Sequence, residues 1–289
     1  MKTTTLHLLG GLLLALGLSS CDRVDCPYEE GCEVIPTIHY EDSLYTEGQS
    51  EQRIVVIEDF TGHKCPNCPD ATREIQRMKD ACGDQLQAVA IHAGGFADPD
   101  PELGYETDFR SAAGSDYNQF FNVDGYPQGY VSRVGTNGVP DLLGYTGWDP
   151  RLISEGLLDM EPIAQIDLTT LWDDSSGTTG VIADLTWLTQ PEGDYKVQLL
   201  LLESHIIAPQ DDNGAYIANY EHNHVLRAGM NGSWGMPVTI TGMGETESFT
   251  ADQPMGETWV RSNCEVMAFV YNAMTYEIMQ VAHGRLPGG

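Results

Sequence analysis

The chain has 289 residues, with 14 Lys and Arg against 43 Asp and Glu, a formal net charge of −29. A surface of that sign repels phosphate backbones and excludes a nucleic-acid function. With 41% hydrophobic residues it is a folded soluble chain, long enough for two domains.

Residues 1–20 open with Lys2 and an apolar run, Leu8 to Leu18, that is too short to span a bilayer and right for a signal-peptide core. The run ends in Leu18-Ser19-Ser20-Cys21, which resembles the lipobox of bacterial lipoproteins. That resemblance implies cleavage before Cys21 and acylation of its thiol and amine, so the anchor is lipid. Residues 21–50 are acidic and weakly periodic and read as a tether. Within it Cys26 and Cys32 flank a short loop and pair as a local staple.

From 51 to 160, strand and helix signals alternate. Arg53 to Ile57 is a β-branched buried-strand run, and residues 69–82 carry Ile75, Met78 and Cys82 on one helical face. Leu86–His92 is a second strand, 94–106 a loop, Thr107–Phe121 a helix and Gly129–Val134 a strand. Asp149-Pro150 starts a helix to Met160 with Leu152, Ile153, Leu157 and Leu158 inward. From 161 to 289 the signals are strands: Ile166–Trp172, Val181–Trp187, Tyr195–Leu202, Val238–Ile240, Trp259–Val260, Val266–Tyr271 and Ile278–Ala282. Their spacing predicts an antiparallel, Ig-like β-sandwich.

The chemistry-bearing motif is Cys65-Pro66-Asn67-Cys68, between the first strand and the first helix. A cysteine at a helix start has its thiolate stabilised by the dipole, and Lys64 adds positive charge. Pro66 falls near the first helical position. Cys82 and Cys264 remain, to pair with each other or stay as buried thiols. His222 and His224 share one face if extended, with His205 as a third metal ligand. The bland alternative is that they fix the sandwich beside Arg227, and no metal is expected. His63 and His92 flank the thiols, and no cofactor fingerprint is present.

Strand, C-x-x-C and helix resemble thioredoxin. The resemblance includes Asp59-Phe60 upstream and Gly125-Tyr126-Pro127 downstream. It implies an α/β thioredoxin-like domain over 51–160, with Asp59 taking the proton of Cys68 and Pro127 in cis against the C-x-x-C. Lys64 in place of a tryptophan, and Pro-Asn between the cysteines, depart from that pattern. Glu58 to Pro69, with Ile207 to Gln210, Tyr220 to Arg227 and Asn231 to Gly235, is more specifically similar to the twenty-eight-kilodalton outer-membrane-protein family of Bacteroidetes lipoproteins. That similarity implies a thioredoxin-like domain, a carboxy-terminal β-sandwich over 161–289 and an outer-membrane lipid anchor facing the periplasm or the surface. Two functions follow from these motifs. One is thiol–disulfide exchange with a protein substrate in the envelope, with Cys65 attacking and Cys68 resolving. The other is non-catalytic binding of a surface partner, with the C-x-x-C as a structural disulfide.

Overall fold

β2 (Val55–Thr61) is buried along its whole length, as its unbroken β-branched run dictates. Its side chains alternate between two apolar layers. Val55 and Ile57 meet α1 (Cys68–Cys82) and α3 (Trp148–Ser154) through Ala71, Ile75, Met78, Trp148 and Leu152. Val56 and Phe60 meet α2 (Ala112–Phe120) through Ala113 and Tyr117. The computed structural model describes residues 44–47 and 52–288. The expected signal peptide, the lipid-bearing Cys21 and the Cys26–Cys32 staple lie outside the described residues.

The remaining strands are β1 (Leu44–Glu47), β3 (Leu86–His92), β4 (Gln128–Val131), the small hairpin β5 (Gly135–Thr136) and β6 (Val139–Pro140), and β7 (Leu143–Gly144). After α3 come β8 (Ala164–Asp173), β9 (Thr178–Trp187), β10 (Tyr195–Glu203), β11 (Ile206–Asp212) and β12 (Ala215–His222). They are followed by β13 (Val225–Gly229), β14 (Met236–Pro237), β15 (Thr246–Pro254), β16 (Cys264–Asn272) and β17 (Ile278–Arg285).

The protein is rich in β-structure. A nine-stranded mixed sheet runs β17-β16-β10-β13-β3-β2-β4-β7, with β14 beside β10. β3 is parallel to both β2 and β13, and the other pairs are antiparallel. The sheet therefore runs without a break across residue 160. A four-stranded antiparallel sheet, β1-β8-β9-β15, shares a core with β10 and β16 through Ile166, Leu168, Val181, Leu185, Phe249, Val197, Leu199, Val266 and Ala268. β1 lies inside the segment expected to be a tether. No helix among the described residues is long and apolar enough to cross a membrane.

Several expected boundaries move. The second helix starts at Ala112, where Ser111 caps it through Oγ and the Gly114 amide, and not at Thr107. Ile153 is exposed, because α3 has only Trp148 and Leu152 facing inward. Thr239 and Ile240 form no strand, since their amides donate to the Glu247 carboxylate. Trp259-Val260 leads into a short 3-10 turn, Arg261–Asn263.

Candidate functional site

Cys65 and Cys68 form a disulfide with Cα atoms 5.4 Å apart. The turn is held by the Cys65 amide on Gly62 O (3.0 Å) and the Cys68 amide on Cys65 O (3.3 Å). α1 begins at Cys68 with Pro69 in its first turn, so Pro66 precedes the helix and is not its first residue. Gly62 is required where it stands, since a Cβ there would lie 2.5 Å from the backbone carbon of Phe96. That close approach allows the Lys64 amide to donate to Phe96 O at 3.0 Å.

Both cysteines are only 1% exposed. They are covered by the β11–β12 hairpin, which comes from the other half of the chain. Asp211 donates its amide to His63 O and Asn213 donates to Pro66 O, each at 2.8 Å. Gln210 Nε2 donates to Cys65 O at 3.1 Å. Arg73 on α1 ties down the hairpin through Asp212 at 3.0 Å. The sequence reading missed this cover. Its signal is Asn213-Gly214, both at positive φ, between two runs of strand-length. Asn-Gly at that place is the favoured two-residue hairpin turn.

Asp59 lies on the α1 side of β2, opposite in face to Glu58. It is buried, its Oδ1 has no hydrogen-bond partner, and desolvation pushes its carboxyl up to about 8. It lines a cavity of about 300 Å³ together with Thr72, Gln76, Ser204 and Glu221. The Tyr126–Pro127 peptide bond is cis, and the Tyr126 hydroxyl donates to Asn118 Oδ1. Cys82 and Cys264 are both free thiols, not a bridge. Burial pushes Cys264 up to about 12, and its Sγ faces Val260 O.

The histidines separate. β12 ends at His222, and His224 takes a positive φ of 56°, so the two-residue alternation that would align them stops. His224 Nδ1 meets Glu265 at 3.3 Å, while exposed His205 pairs with Glu221 at 2.7 Å. Among the described residues no group of three metal-ligating side chains has the spacing to hold an ion. His222 instead joins His63 and His92 in a buried aromatic box around Phe109. Phe109 lies 4.6 Å from His92 and from His222, and 5.6 Å from His63, between ring centroids. Arg227 stands over Phe109.

Burial, reinforced by His63, lowers His222 to about 4, against bonds to the carbonyls of Pro209 and Ala208 that raise it. Burial lowers His92 as well. An unfolded histidine takes up its proton near 6.5, before the folded one does. The box therefore costs nothing above that pH and loses stability as pH falls from about 6.5 to about 4. For His222 the loss is on the order of 3 kcal/mol. Urea unfolding at pH 7 and pH 4.5 in an Asp59→Asn background, where the opposing titration of Asp59 is removed, should show it, and adding His222→Phe should remove the His222 share and leave that of His92. An unchanged acid slope in that variant would place the acid sensitivity elsewhere.

Residues 114–286 match the family described as outer membrane protein Omp28, a span that begins after the C-x-x-C. No curated protein matches the chain. HBP35 of Porphyromonas gingivalis shares the fold, with a TM-score of 0.64 at 18% identity over 83% of this chain and 77% of that one. A domain of the outer membrane lipoprotein Omp28 from Porphyromonas gingivalis is 25% identical over 42% of this chain and 93% of its own, with a TM-score of 0.30. With more than half of its length matched by the family's pattern, this chain belongs to the outer membrane protein Omp28 family.

Proposed function

We propose that this Omp28-family protein is a lipid-anchored envelope protein that binds a surface partner without catalysis. In this reading its thioredoxin-like half is a scaffold and Cys65–Cys68 is a structural disulfide. The observation that carries the reading is the β11–β12 cover, which leaves each cysteine 1% exposed. Exchange requires a thiolate to reach a disulfide sulfur, and a buried bridge denies that approach. The thioredoxin-like assignment is supported by the parallel β2–α1–β3 crossover and by β4, antiparallel to β2 just after the cis-proline. The lipid anchor rests on the Leu18 to Cys21 motif.

The test is a dithiothreitol titration of the full chain with thiol alkylation read by mass spectrometry. Cys65 and Cys68 should stay unlabelled until urea unfolds the protein, while half-buried Cys82 is labelled in the native state. Reversible reduction of the bridge at a mid-range potential, with the fold intact, would overturn the structural reading.

The raised proton affinity of Asp59, at a cavity, favours a second reading as an oxidoreductase. There the Cys65 thiolate attacks a substrate disulfide and releases one substrate thiolate. Cys68 then displaces the second, its thiol proton passing to Asp59, and the protein leaves oxidised. The same titration decides between the two.

A further inference from the structure

A cleft of about 710 Å³ is bounded by the C-terminal end of α1, the start of β3, β8 and β17. Its volume lies in the range of small-ligand sites. Ile54, Ile166, Leu168 and Val281 supply apolar wall. Glutamines stiffen it. Gln85 Nε2 donates to Arg53 O and Leu158 O, and Gln280 accepts from the Ile54 amide at 2.8 Å while donating to Gln52 O at 3.1 Å.

The charges in the cleft are unusual for so acidic a chain. Lys79, His224, His283 and Arg285 line it against Asp84 and Glu265. Glu265 is already engaged. Burial alone would raise its carboxyl, but His224 at 3.3 Å and His283 at 3.7 Å outweigh that and hold it well below the usual range. Lys79 Nζ lies 3.2 Å from His224 Nε2 and 3.5 Å from Gln87 Oε1, and among residues 52–288 no carboxylate is in ion-pair reach. An ammonium has only protons to give, so Nε2 accepts and the Nδ1–H faces Glu265.

Arg285 is the decisive residue. Every other arginine among the described residues pairs with an acid: Arg53, Arg73, Arg77, Arg110, Arg133, Arg151, Arg227 and Arg261. Among residues 52–288 the guanidinium of Arg285 has no ion-pair or hydrogen-bond partner. In a chain with three acids for each base, a guanidinium without an ion pair among residues 52–288, lining the same cleft as Lys79, is open to an oxyanion.

We propose that this cleft binds a small organic oxyanion, a carboxylate or a phosphate ester on a polar body, with its charged group on Arg285 and Lys79. The ligand is small because the net charge of −29 repels extended polyanions, while pairing inside a cleft acts at short range.

The test is isothermal calorimetry on the full chain with citrate, glycerol phosphate and, as the neutral control, glucose. Saturable binding of either anion is expected, and which one binds separates carboxylate from phosphate recognition. Arg285→Ala should weaken it by at least about tenfold, with an unchanged circular-dichroism spectrum and melting temperature, since the Arg285 side chain holds no partner among residues 52–288. Lys79→Met should weaken it similarly. No saturable binding of either anion, equal binding of glucose, or affinity unchanged in both variants would overturn the proposal.

Discussion

Asp59→Asn is expected to stabilise the protein by on the order of 4 kcal/mol at pH 7. Asp59 is 1% exposed, Oδ1 has no partner, and its carboxyl is pushed up from 3.8 to about 8 by desolvation alone. Between those values the folded protein holds a proton that the unfolded chain has lost. Stability therefore falls as pH rises from about 4 to about 8, and the full cost of a buried carboxylate is present above that. Asparagine keeps the shape and carries no charge at any pH. Urea unfolding of the wild type should weaken from about pH 6.5 to pH 8, and the variant should be flat across that range, which lies above the titration of the buried histidines. A chain of this length gains about 2–4 °C in Tm per kcal/mol, so the thermal shift should be plain. If the variant were less stable at pH 8, the carboxylate would have to be well solvated there. Because His222 titrates with the opposite slope, its acid sensitivity is cleanest in the Asp59→Asn background.

The second large effect is expected on the opposite face of β2. Arg133 Nε and Nη2 donate to the two oxygens of Glu58 at 2.7 and 2.6 Å, with both side chains no more than 2% exposed. The guanidinium sits 5.2–5.6 Å from the ring centroids of Tyr117, Phe121, Phe269 and Tyr271. Removing one partner leaves the other charge buried without compensation, a loss of about 3–5 kcal/mol. Glu58→Ala should fall in that range by urea denaturation at pH 7. The double variant Glu58→Leu with Arg133→Met should recover much of the loss, because it leaves no charge behind. A single variant costing under about 1 kcal/mol would mean that water reaches the site, as at exposed pairs.

Local signals in the sequence led to local structure. The Val55–Ile57 run, the C-x-x-C at a helix start and the apolar face of α1 are each written within a few residues, and each appears where the periodicity places it. Strand alternation alone puts Asp59 and Glu58 on opposite faces of β2. What was illegible depends on distant partners. β15 reads as a polar stretch because only Phe249 is buried in it, and β9 specifies it as a strand. His222 and His224 look aligned until a left-handed residue interrupts the strand. The burial of the C-x-x-C could not be read, because the covering hairpin is more than a hundred residues away in sequence. The missed Asn213-Gly214 turn shows that the hairpin itself was legible, though its docking was not.

The seam between β3 and β13 has a consequence for the order in which the protein takes shape. The two strands meet at Val225 and Ala90, where the Ala90 amide donates to His224 O at 2.8 Å. A chain emerging from the ribosome has β2, α1 and β3 long before it has β13. Until His224 arrives, β3 is an open strand edge with its backbone groups unpaired, a template for the wrong neighbour. Such long-range closure is slow and leaves nascent chains exposed to aggregation. The amino-terminal half thus waits for the carboxy-terminal half to close its sheet, and chains stopped short of β13 would be the ones most in need of a chaperone.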